Sequence, residues 1–183
     1  MLLYHTGFEQ IPRPDLHRGR KNADFGKGFY LTPERSFAER WAKAQKGRET
    51  YVNIYALDET GLAVQRFVRD EAWFGYIRDN RAVRPDRYPE ADVIVGPIAN
   101  DTLYDTFGMI TSGFLSDGQA LQLLLAGPAY TQVVIKSERA LGQLVWQSAR
   151  VLSEAEMASS AALVRAEEES YQTQIAGIMQ SFL

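Results

Sequence analysis

The chain has 183 residues, of which 45% are hydrophobic and 23% charged, and its formal net charge is −3. These values are typical of one globular domain with room for a core, and the acidic balance argues against recruitment by nucleic acid or an anionic membrane. No cysteine is present, which excludes disulfides, and His5 and His17 are too few for a histidine-rich metal site. Without a signal peptide or an apolar run of about 18 residues, the expected location is cytoplasmic.

The first half of the chain predicts short strands separated by a long loop and two helices. Strands are predicted at 2–5, 28–32 and 51–57, with an irregular loop over 11–27 that is rich in Pro, Arg, Gly and Asp. Thr32 and Pro33 predict the cap and first position of a helix. Its apolar stripe comprises Phe37, Ala38, Trp41 and Ala42. A second helix is predicted over 66–82, with a buried side formed by Phe67, Ala72, Trp73, Phe74 and Ile77.

The second half predicts two more strands and several helices. The strands are expected at 92–97 and 131–136, where Val and Ile dominate. Helices are expected at 100–111 and 117–125, with Asn100 and Asp101 as the capping segment of the first, and a short helix or turn at 137–144. Because strands and helices mix without strict alternation, the sequence predicts an α+β fold.

The C-terminal segment predicts one long helix over 153–182. Ser153 and Glu156 form a capping-box pattern. Apolar residues then recur at near-heptad spacing: Met157, Ala161, Val164, Tyr171, Ile175, Ile178 and Phe182. Either this helix packs on its own domain or it binds a partner, including a second copy in a homodimer. The predicted organisation is a domain at 1–150 followed by a C-terminal helical segment at 151–183.

Two short motifs carry the functional signal. The sequence YHTG (4–7) precedes DFGKGFYLT (24–32), in which two glycines flank Lys27 and lead into a short aromatic strand. Glycine allows a flat ligand to approach the backbone, the Tyr30 ring can stack, and His5 with the backbone of Thr6 and Gly7 can offer hydrogen bonds. The pair predicts a site for a nucleotide-like molecule with a planar head.

This pair of motifs resembles the ADP-ribosyltransferase superfamily, on the side of diphtheria toxin and poly-ADP-ribose polymerase. That superfamily is often described by a His, a Tyr and a Glu, and here His5 and Tyr30 match the first two. The third falls in TQVVIK (131–136), where Gln132 stands at the position that is more often Glu. The resemblance spans roughly residues 2–145 and is closest to an uncharacterised bacterial domain family, some members of which are encoded beside small antitoxin-like proteins. Further marks lie at 92–101 and 137–144.

The resemblance implies an ADP-ribosyltransferase-like core with a split mixed β-sheet and surrounding helices, and a site for NAD as co-substrate without a metal. His5 would bind the adenine-side ribose, the Gly7 backbone the nicotinamide carboxamide, and Gln132 a ribose hydroxyl. Tyr30 would stack on nicotinamide, with Trp41 as a second aromatic, although both residues also suit a hydrophobic core. The implied NAD-binding set is His5, Thr6, Gly7, Arg20, Asp24, Gly28, Tyr30, Trp41 and Gln132, with His5, Tyr30 and Gln132 as its catalytic members. Cationic groups of the 11–27 loop would meet the pyrophosphate.

The implied activity is mono-ADP-ribosylation of a protein or nucleic acid by a bacterial toxin, with a small antitoxin or immunity protein as a further partner. Glutamine keeps a hydrogen bond but carries no charge and cannot act as a base. Glu138 is no substitute, because six extended residues span about 20 Å. The alternatives are a catalytically weak or inactive NAD or ADP-ribose-binding module, an NAD glycohydrolase, or an unrelated α+β domain.

Overall fold

The computed structural model describes residues 1–99 and 113–182. Within these ranges the chain forms seven strands and five helices. In chain order they are β1 (Leu2–Gly7), β2 (Phe29–Leu31), α1 (Arg35–Arg40), β3 (Thr50–Leu57), β4 (Val64–Arg66), α2 (Glu71–Arg81), β5 (Val93–Pro97), α3 (Asp117–Leu125), β6 (Thr131–Ile135), α4 (Glu138–Gly142), β7 (Leu144–Leu152) and α5 (Glu154–Gln180).

The strands form two sheets, and the predicted α+β class is confirmed. The first sheet has the order β1–β3–β7 and is antiparallel throughout. The second has the order β2–β6–β5–β4, in which only the β4–β5 pair is parallel. The strands predicted at 92–97 and 131–136 therefore lie side by side in the second sheet.

The two sheets meet where β1 passes β2. The backbone N–H of Tyr4 donates to the Thr32 carbonyl oxygen at 2.8 Å, and the N–H of Thr32 donates to the Tyr4 carbonyl oxygen at 3.0 Å. This is an isolated antiparallel bridge, so the strands are neighbours at this point without continuing as a ladder. The strands that carry the two sequence motifs are therefore adjacent in space.

Side chains alternate between two cores across the second sheet, as the pleat of a strand requires. Val133 and Ile135 pack toward the first sheet, in a cluster that includes Leu3, Phe29 and Tyr55. Val134 lies in a separate cluster with residues of α2 and α3. Position along β2 or β6 therefore decides whether a side chain faces the first sheet or the α2 side.

The long C-terminal helix is confirmed and carries the predicted capping box. Ser153 accepts from the backbone of Glu156, whose side chain accepts from the backbone of Ser153. Tyr171 and Ile175 are buried against Leu115 and Leu123. The second half of α5 therefore packs on α3 of the same chain.

The start of α1 differs from the prediction. Its N-cap is Glu34 and its first residue is Arg35, so Thr32 is not the helix cap. The Thr32 hydroxyl instead accepts from the Glu34 backbone N–H at 3.1 Å and donates to the Glu34 carboxylate at 2.9 Å. Trp41, predicted to lie on the buried stripe, is 43% exposed.

Two strands were absent from the prediction. Residues 66–82 were expected to be helical throughout, but α2 begins after an Asp70 cap and β4 precedes it. Ala72 of that helix is exposed. The strand β7 was not predicted at all. The helix expected at 100–111, with its Asn100–Asp101 cap, lies outside the described residues. No helix in the described ranges combines the length and apolarity needed to cross a membrane.

Candidate functional site

His5 links the two motif strands through its side chain. Its Nδ1 lies 2.8 Å from the backbone carbonyl oxygen of Tyr30. A carbonyl oxygen can only accept, so Nδ1 carries the proton and the neutral ring presents Nε2 as an acceptor. The imidazole thus bonds to β2 next to the isolated bridge between Tyr4 and Thr32.

The environment of His5 favours the neutral ring. Burial lowers its pKa from the usual 6.5, an effect that the hydrogen bond with Tyr30 opposes. The ring packs on Phe29 with centroids 4.6 Å apart. Among the described residues, none forms a hydrogen bond with Nε2. A neutral Nε2 suits a ligand hydroxyl, such as that of a ribose, because it can accept that proton in a hydrogen bond.

Tyr30 uses its hydroxyl to hold the preceding turn. The hydroxyl donates to the Gly26 carbonyl oxygen at 2.7 Å and accepts from the Phe25 backbone N–H at 3.0 Å. Burial, with the nearby negative charge of Asp24, raises the pKa of Tyr30 well above its usual 10. The hydroxyl therefore stays protonated near neutral pH, and what Tyr30 can offer a ligand is its half-buried ring.

The glycines of the second motif serve close packing of the chain itself. A Cβ on Gly28 would lie 2.6 Å from both the Ile135 carbonyl oxygen and Val134 Cγ1. A Cβ on Gly19 would lie 2.5 Å from the Gly28 carbonyl oxygen. Gly26 has a φ of +73°, which glycine adopts without strain. Gly28 therefore lets this loop lie directly against β6, and Gly19 lets the loop pack against Gly28.

Gln132 is buried on β6 with its amide turned toward two oxygens. It is 3% exposed, and its Nε2 donates to Asp24 Oδ2 at 3.2 Å and approaches the Pro97 carbonyl oxygen at 3.5 Å. Asp24, at the start of the second motif, is thereby joined to the late strand β6. The structure thus brings Asp24, Tyr30 and Gln132 into one neighbourhood.

Asp24 is fixed by contacts from three directions. Its Oδ1 accepts from Arg81 Nε at 2.9 Å and from Arg81 Nη2 at 2.6 Å. Its Oδ2 accepts from Gln132 and from the Ala99 backbone N–H at 3.3 Å. The side chain of Asp24 is 16% exposed and that of Arg81 25%. Two N–H groups of the Arg81 guanidinium thus donate to one oxygen of the Asp24 carboxylate.

The alternation of side chains places these groups on defined faces. Tyr30 pairs with Val134 across β2 and β6, and Gln132 lies two residues before Val134. Tyr30 and Gln132 therefore share the α2 face of the second sheet. The His5 ring packs on Phe29, which belongs to the cluster on the other face. His5 reaches Tyr30 at its backbone rather than at its ring.

The remaining predicted site residues are more dispersed. The Thr6 hydroxyl donates to the Ala38 carbonyl oxygen in α1, and Gly7 ends β1. Arg20 is exposed and forms no ion pair with a described residue. It lies close enough to Tyr30 for its positive charge to oppose, in part, the rise in the pKa of Tyr30 that burial causes. The Trp41 ring contacts Phe37, with centroids 4.6 Å apart. The aromatic sandwich of Trp41 with Tyr30 stays a prediction, without a ring contact among the described residues.

Sequence reasoning missed two charged residues beside the site. Arg81 holds Asp24 across 57 positions of sequence. Glu34 accepts from the Thr131 backbone N–H at 3.0 Å, next to Gln132. Neither contact has a local signature. The only available signal was that Asp24 sits in a conspicuous motif and a buried carboxylate needs a partner.

Two surface hollows lie away from these residues. One, of about 540 Å³, is lined by residues 44–49 and Glu154. The other, of about 580 Å³, lies between α3 and α5. His5, Tyr30 and Gln132 line neither. Within the described residues, no three acidic or histidine side chains cluster so that they could hold a metal ion.

Comparison with known families identifies the chain. Residues 1–146 match the family described as "Protein of unknown function (DUF3990)". This match covers well over half of the 183 residues, so the chain belongs to that family. Comparison with curated proteins gives no match.

Proposed function

We propose that this member of the DUF3990 family is an NAD-dependent mono-ADP-ribosyltransferase. The observation that carries the proposal is the link between His5 Nδ1 and the Tyr30 carbonyl oxygen at 2.8 Å. It holds the YHTG strand beside the GFY strand, as the proposed NAD site requires, while the His5 ring lies on the Phe29 side of the second sheet and the Tyr30 ring on the α2 side. The neutral His5 then offers Nε2 to a ribose hydroxyl.

The face shared by Tyr30 and Gln132 supports the same proposal. An aromatic ring and an amide on adjacent strands can orient the nicotinamide ring and its ribose together. Arg20 is exposed, lies near Tyr30 and forms no ion pair within residues 1–99 and 113–182, which suits it to the NAD pyrophosphate. Because the Tyr30 hydroxyl stays protonated, Tyr30 does not act as a base. Its role in the proposal is to position the nicotinamide ring.

The chemistry moves ADP-ribose from nicotinamide to an acceptor. The bond between ribose C1′ and the nicotinamide nitrogen breaks, and its electron pair leaves with nicotinamide, which neutralises the pyridinium charge. An acceptor atom then forms the new bond to C1′ with its lone pair, and its proton passes to solvent. Positive charge builds on the ribose between these events, and polar groups fixed around the ribose stabilise it.

The acceptor is a protein or a nucleic acid, and the setting that fits the resemblance is a bacterial toxin that acts in a cytoplasm. A small antitoxin or immunity protein would then restrain it. The homodimer remains a separate option through the exposed first half of α5, where Leu163 is 53% exposed.

The test is incubation of the purified protein with labelled NAD and a cell extract. The expected result is release of nicotinamide and transfer of label to a macromolecule. Both should be lost in Tyr30→Ala and retained in the control Glu138→Gln, because Glu138 is exposed at the start of α4, away from Tyr30. Free ADP-ribose without labelled acceptor would indicate a glycohydrolase.

Binding without turnover would instead indicate the non-catalytic module that Gln132 also allows. NAD at about 100 times its dissociation constant should stabilise the fold by roughly 2.7 kcal/mol. A protein with neither a thermal shift nor nicotinamide release would show that the proposal is wrong and that this is an unrelated α+β domain.

A further inference from the structure

We propose that Asp24 is the positioning residue that lets Gln132 act where related sites use a glutamate. The inference rests on the proposed function and deepens it. The 3.2 Å contact between Asp24 Oδ2 and Gln132 Nε2 places a carboxylate directly behind the amide. The negative charge that a glutamate would carry at position 132 is thus carried by Asp24, which contacts the Gln132 amide.

The neighbours of Gln132 determine which way its amide faces. An ionised carboxylate and a backbone carbonyl only accept hydrogen bonds. Nε2 therefore faces Asp24 and Pro97, at 3.2 and 3.5 Å. The Oε1 atom accepts from none of the described residues and is left for a donor such as the ribose 2′-hydroxyl.

Asp24 is better suited to this role than to binding pyrophosphate. Its negative charge would repel a phosphate, whereas next to an amide N–H it forms a charge-assisted hydrogen bond. That bond draws electron density toward Gln132 Oε1, which strengthens Oε1 as an acceptor. The pair with Arg81 and the Ala99 N–H keep the carboxylate in place.

The step that the pair assists is departure of nicotinamide. As the C1′–N bond breaks and its electron pair leaves with nicotinamide, Gln132 Oε1 holds the 2′-hydroxyl through its proton. No proton is transferred to Gln132 or Asp24. The gain is electrostatic, because the oriented amide dipole and the charge behind it face the positive charge that develops on the ribose.

Other carboxylates near β6 are less suited. Glu34 Oε2 is already bound to the Thr131 N–H and the Thr32 hydroxyl. Glu138 is exposed at the start of α4, beyond the far end of β6 from Gln132. Glu138→Gln is therefore the matched control, which removes the same kind of charge away from the pair.

The experiment compares nicotinamide release and NAD affinity in the full chain across four variants: Asp24→Asn, Gln132→Glu, the double variant and Glu138→Gln. Each single change at the pair should lower kcat about 100-fold, with NAD affinity changed less than about threefold, since binding also depends on His5 and Tyr30. The double variant exchanges carboxylate and amide, and should recover at least about tenfold over either single variant. Glu138→Gln should match the parent.

Thermal unfolding gives a readout that needs no turnover. Gln132→Glu sets two carboxylates side by side, which raises the pKa of one of them in the folded state. A carboxyl pKa raised by folding costs stability as pH rises through it, so this variant should lose more Tm near pH 7 than near pH 4. Adding Asp24→Asn should remove that pH dependence.

The outcomes separate this inference from the proposed function. Full activity in Asp24→Asn, higher activity in Gln132→Glu than in the parent, or no recovery in a folded double variant would overturn the role of Asp24 while leaving the transferase intact. A parent that neither binds NAD nor releases nicotinamide would overturn both.

Discussion

His5 and Tyr30 are joined through the ring of one and the backbone of the other, with His5 Nδ1 2.8 Å from the Tyr30 carbonyl oxygen. This hydrogen bond adds a second link between β1 and β2 beside the isolated Tyr4–Thr32 bridge. It ties the two sheets together at their junction and fixes the tautomer of the imidazole. The same contact therefore serves the fold and the candidate site.

His5 should make the stability of the protein pH-dependent. Burial lowers the pKa of His5 in the folded state below the usual 6.5, so the unfolded chain binds the proton more readily. Stability from this residue is then full above pH 6.5 and falls as pH decreases through and below that value. Tm measured from about pH 7.5 to 5.5 should decline more steeply in the parent than in His5→Gln. Equal slopes in the parent and in His5→Gln would contradict the assignment.

Substitutions of Tyr30 by Phe and by Ala should separate the role of its hydroxyl from that of its ring. Tyr30→Phe leaves the Phe25 N–H and the Gly26 carbonyl without their partner, and should lower the free energy of unfolding by about 1–3 kcal/mol. Because the ring remains, NAD affinity should change little in Tyr30→Phe and fall strongly in Tyr30→Ala. Denaturant melts and isothermal titration with NAD check the two effects. Loss of binding in a folded Tyr30→Phe would show that the ring is not the contact.

Gly28 should be intolerant of even one methyl group. A Cβ there would meet the Ile135 carbonyl oxygen and Val134 Cγ1, both at 2.6 Å, and the overpacking should cost about 1–3 kcal/mol. Gly177→Ala is the matched control, since a Cβ in that helical position meets no atom within 4 Å. It should stabilise α5 by about 0.5–1 kcal/mol. Urea unfolding of Gly28→Ala and Gly177→Ala measures the two changes in the free energy of unfolding. Similar changes in both variants would refute the tight contact between Gly28 and β6.

The second half of α5 should contribute to the stability of the fold. Ile175 is 1% exposed against α3, so Ile175→Ala should lower the free energy of unfolding by about 2–5 kcal/mol. Leu163→Ala removes a side chain that is 53% exposed and should stay within about 0.5 kcal/mol of the parent if the protein is monomeric. Sedimentation at rising concentration checks the dimer option: a dimer that Leu163→Ala dissociates would show that α5 binds a second copy.

Local signals allowed α3 and α5 to be predicted from the sequence, whereas the starts of α1 and α2 differed from the prediction. Ser116 with Gln119 and Ser153 with Glu156 both form capping boxes, which are read within four residues, and α3 starts and ends where expected. The strand β7 had no such signal. Its pairing with β3 joins Thr50 to Leu152, and many of its side chains are exposed, so neither periodicity nor a turn marked it.

The candidate site was predictable only in part, because some of its contacts join residues that are far apart in the sequence. The positions of His5 and Tyr30 came from motif order and resemblance, and the adjacency of their strands followed. The partner of Asp24 did not, because Arg81 lies 57 residues away in a helix whose charges look like ordinary surface residues. The role of the motif glycines also differed, since Gly28 contacts the chain's own β6 backbone.

Trp73 is an intrinsic fluorescence probe of the surroundings of Gln132. Its indole N–H donates at 2.9 Å to the Pro97 carbonyl oxygen, the same atom that Gln132 Nε2 approaches. The Trp73 ring is 0% exposed, whereas Trp41 is 43% exposed and Trp146 is half-buried, so a quencher dissolved in water would suppress the emission of Trp41 far more than that of Trp73. A molecule that reorients the Gln132 amide would therefore change the Trp73 emission that remains after quenching, and this change can be measured without a label or an enzymatic assay.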